Sequence, residues 1–217
     1  MENNLLDELI IIPKPDYITW EEISELLHLG YSQRAKEGLH YSAVDQPVEK
    51  TIERVGDGVC LVALLNGKLV GTESYKLIEK SKLNFKKWYY DERFYYLHSL
   101  TVHPDFTKQG IGSKIRNTIK QEAIKNNIDS LISDTAIHAK WLIKWYDRQG
   151  HKKVGLVSHP TTNYYSVVMR TPIKGKNYSN FYRFIRYNLS LIRCVILRKT
   201  NGQLRTIPSL IKKTIMK

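Results

Sequence analysis

The stretch that decides the reading is Leu97–Ile119, LHSLTVHPDFTKQGIGSKIRNTI. It begins inside an apolar and aromatic run, Phe94 to Val102, that reads as a strand and stops before Pro104. From Ile111 the apolar residues change period: Ile111, Ile115, Ile119 and Ala123 recur at helical spacing until Asn126-Asn127. Between strand and helix, Thr107-Lys108-Gln109-Gly110-Ile111-Gly112-Ser113 opens directly onto the helix, so several backbone N–H groups and the positive helix end converge on one spot. Such a spot suits phosphate, and glycine at 110 and 112 keeps side chains from holding a pyrophosphate away from the amides. A Walker loop would need Gly-x-x-x-x-Gly-Lys-Ser/Thr, and a dinucleotide fingerprint would need glycine where Ile115 stands. Taken alone, Gly-x-Gly before a helix also fits an ordinary turn.

Outward from that stretch the chain alternates strands and helices. Leu9 to Ile12 reads as a strand stopped by Pro13 and Pro15. Thr19 starts a helix with a capping box to Glu22 and a buried stripe of Ile23, Leu26 and Leu27; Gly30 is expected to close it. Further helical pieces are expected around Ser32 to Glu37 and Val48 to Val55. Val59 to Leu65, Asn66-Gly67 and Lys68 to Leu77 read as a hairpin, because Asn-Gly supplies the positive-φ pair of a tight turn. Residues 79–93 lack a clean period and read as an insertion or lid. Asp129 to Ser133 reads as a strand, Ala139 to Gln149 as a helix stopped by Gly150, and Lys153 to Val157 with Tyr164 to Met169 as the last two strands.

Composition limits what such a chain can be. With 217 residues, 42% hydrophobic, there is room for one domain and an appendage, which excludes disordered, collagenous and disulfide-scaffold classes. No apolar run approaches the roughly 20 residues of a membrane span, and the acidic start does not resemble a signal peptide. Only Cys60 and Cys194 are present, so a reducing cytoplasm is expected. Charge is divided unevenly: residues 1–147 hold all 21 acids and sum to −2, whereas residues 148–217 hold 15 Lys+Arg and no acid. An acid-free stretch of that length points to an anionic partner such as lipid, nucleic acid or an acidic protein surface, with solubility alone as the simpler alternative.

The Leu97–Ile119 segment resembles the signature of the GNAT superfamily of acyl-CoA-dependent N-acetyltransferases, Leu-x-Val-x-Pro-x-x-Arg/Gln-x-x-Gly-x-Gly/Ala. Leu100, Val102, Pro104, Gly110 and Gly112 fit it, while Thr107 occupies the Arg/Gln position. A second element agrees: Trp145-Tyr146, followed by Gly150-His151, has the spacing of the family's aromatic-tyrosine pair, although the asparagine often seen seven residues earlier is Ala139. The resemblance spans roughly residues 8 to 170 and implies an α/β (α+β) fold, a mixed, mostly antiparallel sheet flanked by helices. It implies acetyl-CoA as acyl donor, with the main chain of Leu100, Thr101 and Val102 along the pantetheine arm. Thr107, Lys108, Gln109, Gly110, Ile111, Gly112 and Ser113 would surround the pyrophosphate.

By the same resemblance Tyr146 is the candidate general acid for the departing thiolate, and the Val102 N–H would polarise the thioester carbonyl. For the base, residues 96, 98, 100 and 102 are expected to share one strand face, which offers Tyr96 and His98; no glutamate stands there, and His98 has the better intrinsic pKa. Asp134 and His138 are weaker candidates. The histidines and cysteines form no ligand spacing, so no metal is expected, and no Gly-x-Ser-x-Gly elbow is present.

A catalytic domain is expected over residues 1–172 and a basic, amphipathic, helical extension over 173–217. On a helical wheel Tyr178, Phe181, Tyr182, Ile185, Leu189, Ile192 and Ile196 form an apolar stripe, opposite Arg183, Arg186, Arg193 and Arg198. Asn201-Gly202 should break this helix, and Ser209 to Met216 forms a shorter basic segment. The stripe either packs on the protein's own body or a second subunit, or docks on a membrane surface through residues 178–217; nucleic acid is the less favoured partner. The expectation is therefore a cytoplasmic N-acetyltransferase, peripheral at the inner face of a membrane, whose acceptor is a primary amine such as an amino sugar of surface-polysaccharide assembly. A homodimer stays open, as does the alternative of a non-catalytic protein of the same fold that binds membrane or nucleic acid through its tail.

Overall fold

The computed structural model describes residues 6–36, 38–39, 41–83, 89–159 and 162–199, with the side chains of 197–199 left out. Seven strands form one sheet in the order β1-β2-β3-β4-β5-β7-β6: β1 (Leu9–Pro13), β2 (Val59–Leu65), β3 (Lys68–Glu79), β4 (Arg93–Val102), β5 (Ser130–Ala136), β6 (Lys152–Ser158) and β7 (Tyr165–Pro172). The ladders β1-β2, β2-β3, β3-β4 and β6-β7 are antiparallel, and β4-β5 is parallel. The helices are α1 (Trp20–Ala35), α2 (Val48–Val55), α3 (Ile111–Lys125), α4 (Lys140–Arg148) and α5 (Asn180–Lys199). The mixed α/β class and the mostly antiparallel sheet are thus as expected.

The chain divides into two compact units, one of residues up to 133 with 171–176, the other of 134–170 with the residues from 177 onward. In the first, β2 is buried on both faces, which is why VCLVALL is a continuous apolar run. Its Leu61, Ala63 and Leu65 join Val70, Tyr75, Tyr95 and Leu97 under the Ile111, Ile115 and Ile119 stripe of α3. Its Cys60, Val62 and Leu64 pack with Ile18, Ile23, Leu27 and Val55 on the α1 and α2 side. The tight turn at Asn66 (φ 50°) and Gly67 (φ 77°) joins the hairpin as its sequence requires.

The capping box of α1 is present: Glu22 N–H donates to Thr19 Oγ1 at 3.2 Å, and Thr19 N–H donates to Glu22 Oε2 at 2.7 Å. Gly30 does not close this helix, which runs through it to Ala35 and absorbs the separate piece expected from Ser32; Glu37 lies outside the described residues. The reason is a close approach. A Cβ on Gly30 would stand 1.9 Å from Thr101 Oγ1, so glycine lets α1 lie directly on β4. β3 continues to Glu79 and a short 3₁₀ turn spans Lys80–Lys82, while residues 84–88 of the expected lid lie outside the described residues.

In the second unit α5 lies on β6, with Leu156 N–H donating to Ser190 Oγ at 2.9 Å and Cys194 buried. The break at Asn201-Gly202 and the Ser209 to Met216 segment lie outside the described residues.

Gly30→Ala is expected to lower stability by about 1–3 kcal/mol, because the overpacking outweighs the better helix propensity of alanine. Adding Thr101→Ala should recover part of the loss; urea denaturation of the single and double variants measures both.

Candidate active site

β4 carries the feature that shapes the site. Thr72 of β3 is opposite Thr101 and Ser74 is opposite His98, so Glu73 alone faces two β4 residues, Ser99 and Leu100. Ser99 takes φ 60° to accommodate the extra residue, a β-bulge. Alternation therefore slips by one. Val102 packs with Tyr95 and Leu97 in the α3-side core, whereas Thr101 faces Gly30 of α1. The expectation that residues 96, 98, 100 and 102 share a face is corrected accordingly: Tyr96 and His98 stay together, and Val102 lies on the opposite face.

Tyr96 and His98 are half-buried, their rings stacked at 6.1 Å, and His98 Nδ1 is 3.0 Å from Ser99 Oγ. The bulge thus supplies the hydroxyl that orients the imidazole. Among the described residues the β4-β5 ladder pairs Phe94, Tyr95 and Tyr96, and the β4 main chain beyond them lies outside that pairing. One of those groups is engaged from α1: Arg34 Nη2 donates to the Leu100 carbonyl at 3.2 Å.

After β4, a 3₁₀ turn over Pro104–Phe106 leads into the glycine loop. Thr107 Oγ1 donates to the Pro104 carbonyl at 2.9 Å, so its short side chain serves the turn. Gln109 Nε2 donates to the Asp105 carbonyl at 3.3 Å. Lys108 (φ 63°) and Gly110 (φ 87°) both take left-handed conformations, and Gly110 is the N-cap of α3. Among the described residues no side chain caps α3, and Gly112 and Ser113 stand in its first turn, a helix N-terminus of the kind that suits an anion. Leu6 borders the same place, its carbonyl accepting from Lys114 Nζ and its methyl 3.2 Å from where a Gly110 Cβ would stand. These residues fit a pyrophosphate held by main chain.

A buried ion pair that sequence reasoning missed braces the two halves. Glu73, which faces the bulge, is fully buried with Arg116 of α3, Nη2 to Oε1 2.6 Å. Burial, outweighing the attraction and hydrogen bonding of Arg116, pushes the Glu73 carboxyl up to about 7. The only sequence signal was a glutamate in the middle of a hairpin strand, between Thr72 and Ser74.

In the second unit α4 carries Tyr146, buried, its ring 5.2 Å from Trp145 and 5.5 Å from His151. Gly150 (φ 87°) turns the chain, and His151 N–H donates to the Tyr146 carbonyl at 3.0 Å. Asp134 has a partner that was not foreseen: His159 Nε2 lies 3.0 Å from Asp134 Oδ2. His138 is exposed. Among the described residues no group of three or more His, Cys, Asp or Glu is placed to hold a metal ion.

Comparison with known proteins gives the class to which a bulged strand running into a helix with glycine at its N-cap belongs here, the acetyltransferases. Residues 20–151 match the Acetyltransferase (GNAT) family, and the chain belongs to it. It is similar to the ribosomal-protein-S18-alanine N-acetyltransferase from Escherichia coli, at 16% identity and TM-score 0.54, covering 79% of this chain and 97% of that one. It is similar also to a GNAT family acetyltransferase from Elizabethkingia anophelis with acetyl-CoA bound (13%, TM-score 0.54, 76% and 99% covered). A third is an aminoglycoside 6'-N-acetyltransferase complexed with coenzyme A (15%, TM-score 0.52, 78% and 99% covered). No curated protein sequence matches the chain.

Gly110→Ala is expected to weaken binding of both acetyl-CoA and CoA about tenfold in calorimetric titration, since the added methyl strains the left-handed cap and meets Leu6. NAD should not bind to either form. The raised Glu73 carboxyl also fixes a sign: the unfolded chain loses this proton near 4.5 and the folded one near 7, so the group's stabilising contribution is lost as pH rises between them. Denaturation at about pH 5 and about pH 8 should therefore show the gap between wild type and Glu73→Gln moving in the variant's favour at the higher pH.

Proposed function

We propose that the chain moves an acetyl group from acetyl-CoA to a primary amine by direct attack, with no acyl-enzyme. The observation that carries this reading is the start of α3 at Gly110, which no side chain of the described residues caps, in the loop that follows a strand whose bulge places Ser99 Oγ against His98. Acetyl-CoA supplies the activated thioester. Lys108, Gln109, Gly110, Ile111, Gly112 and Ser113 hold the pyrophosphate through main-chain amides, with Thr107 fixing the preceding turn. The main chain of Leu100, Thr101 and Val102 lines the pantetheine arm, and the Val102 N–H polarises the carbonyl oxygen. His98 takes the proton that the attacking amine loses, with Tyr96 beside it, and the Tyr146 phenol protonates the sulfur as the C–S bond gives way to C–N. Residues 1–172 form the catalytic domain and residues 173–217 its basic extension.

For the acceptor we infer an amino sugar of surface-polysaccharide assembly. The likeness to an aminoglycoside acetyltransferase is compatible with it, while the likeness to an enzyme named for a protein alanine shows that the fold alone does not choose. The place of work is the cytoplasmic face of a membrane, reached through residues 178–217, with homodimerisation as a further property of this reading and nucleic acid as the less favoured contact. A non-catalytic role is the second reading. It is favoured by two engaged groups, the Leu100 carbonyl bound by Arg34 and the Thr107 hydroxyl bound by Pro104.

Tyr146→Phe separates the two. The enzyme should lose about 10²–10⁴-fold in turnover while acetyl-CoA titrates as in wild type. A binding protein shows no turnover to lose. CoA release measured against a panel of amino-sugar nucleotides and lipid-linked amino sugars tests the acceptor, and no acceleration by any of them would count against that class.

A further inference from the structure

We propose that the outward face of α5 is a docking surface for an anionic lipid bilayer. This deepens the membrane contact proposed above for residues 178–217 and rests on that part of the reading, not on the catalytic step. Where α5 lies on β6, the helix offers Ser190, whose Oγ accepts from Leu156 N–H, and Cys194, 4% exposed. Tyr187 is on the same side, its phenol pushed up by burial, and its carbonyl accepts from Ser190 Oγ at 2.7 Å. The side chains turned away from this seat are the large apolar ones. Phe181 is 74% exposed, Phe184 67% and Ile192 53%, and Ile185, Leu189 and Val195 are exposed with them.

At about 100° per residue these six positions fall on one broad arc of the helix. Scattered exposed apolar residues are ordinary in proteins, but a contiguous helical face of this kind marks a partner. Most of the stripe read from the sequence is here, with Phe184 and Val195 extending it. Of the alternatives left open for the stripe, packing on the protein's own body is the one these positions do not follow: α5 meets β6 through Ser190, with Cys194 buried.

Charge selects the partner. Arg186 and Arg193 border the apolar arc, and residues 148–217 contain 15 Lys+Arg and no acid. Arg186 lies 5.3 Å over the Tyr182 ring and donates to its hydroxyl at 3.3 Å, a polar edge with an apolar body of the kind that sits at a lipid headgroup layer. A second copy would bring two such tails together with no carboxylate on either to neutralise them. RNA would accept the charge and could stack on Phe181 and Phe184, but the aliphatic majority of the face, Ile185, Leu189, Ile192 and Val195, gives bases nothing to stack on. No helix among the described residues is long and apolar enough to cross a membrane, so α5 would lie along the surface.

The test is flotation of the full chain with vesicles of phosphatidylglycerol and phosphatidylcholine, against phosphatidylcholine alone. Point substitutions are used because removing α5 would uncover β6. The full chain should float with the anionic vesicles and less so as salt rises. Phe181→Glu, Phe184→Glu and Ile192→Glu should each weaken vesicle affinity about tenfold, with Phe184→Leu close to wild type. All four should retain the wild-type circular dichroism and acetyl-CoA titration. The proposal is overturned if the full chain does not float with anionic vesicles, or if the three glutamate variants float like wild type. It is equally overturned if those substitutions only dissociate a dimer, or only abolish binding to single-stranded RNA, with no vesicle binding in wild type. Flotation that persists in a chain unable to bind acetyl-CoA would support this surface and overturn the catalytic reading alone.

Discussion

One inserted residue in β4 governs much of the first unit. With Ser99 at φ 60°, the strand presents Tyr95 and Leu97 to α3 before the bulge and Val102 after it, while Thr101 is turned onto α1 at Gly30. A regular strand would send Val102 to the α1 side and Thr101 into the apolar core beneath α3. The bulge therefore lets one strand serve two tasks. Its first half anchors the sheet through the parallel ladder with β5, and its second half delivers main-chain groups and the chain direction that leads into the Gly110 loop.

Glu73 and Arg116 stand where that constraint could be lost. They join the strand facing the bulge to α3 within two turns of its N-cap. Their energetics do not make them an efficient stabiliser: removing a carboxylate and a guanidinium from water costs several kcal/mol, and a single close approach recovers only part of it. A well-packed apolar pair would serve stability as well. What the ion pair adds is direction, since a charged pair is held to one approach where methyl groups can slide. In the proposed reading, where backbone amides hold the cofactor, the spacing between bulge and helix start would be set by whatever fixes the backbone, and this pair joins the two.

The pieces legible in the sequence were those written in local rules. The Thr19 and Glu22 capping box, the Asn66-Gly67 turn, the Ile111, Ile115 and Ile119 stripe and the Gly110 cap each depend on residues a few positions apart, and each stands as read. What was not legible depends on contacts between distant segments. Gly30 resembles a helix stop until Thr101 is placed against it, 71 residues later in the chain. Ser99 carries no mark of a bulge, because serine is not a residue type that positive φ demands. His159 finds Asp134 only when β5 and the end of β6 are folded. The roles of Tyr146 and His98 rest on resemblance, which periodicity could neither supply nor refute.

The tail shows how a periodic pattern can be legible while its partner stays open. Helical periodicity identifies an apolar face and a polar face, and the habit of globular proteins assigns the apolar one to the core. α5 departs from that habit because β6 can be covered by small and mixed side chains, Ser190, Cys194 and Tyr187, that satisfy a strand amide and fill space without large aliphatics. Once that seat is filled, Phe181, Phe184 and Ile192 have nothing left to cover within the described part of their own unit. A face of that size kept in water costs free energy in proportion to its apolar area. The same segment has no Asp or Glu, so under the proposed bilayer docking the two biases that look separate in the sequence, apolar stripe and missing acids, would act on one partner.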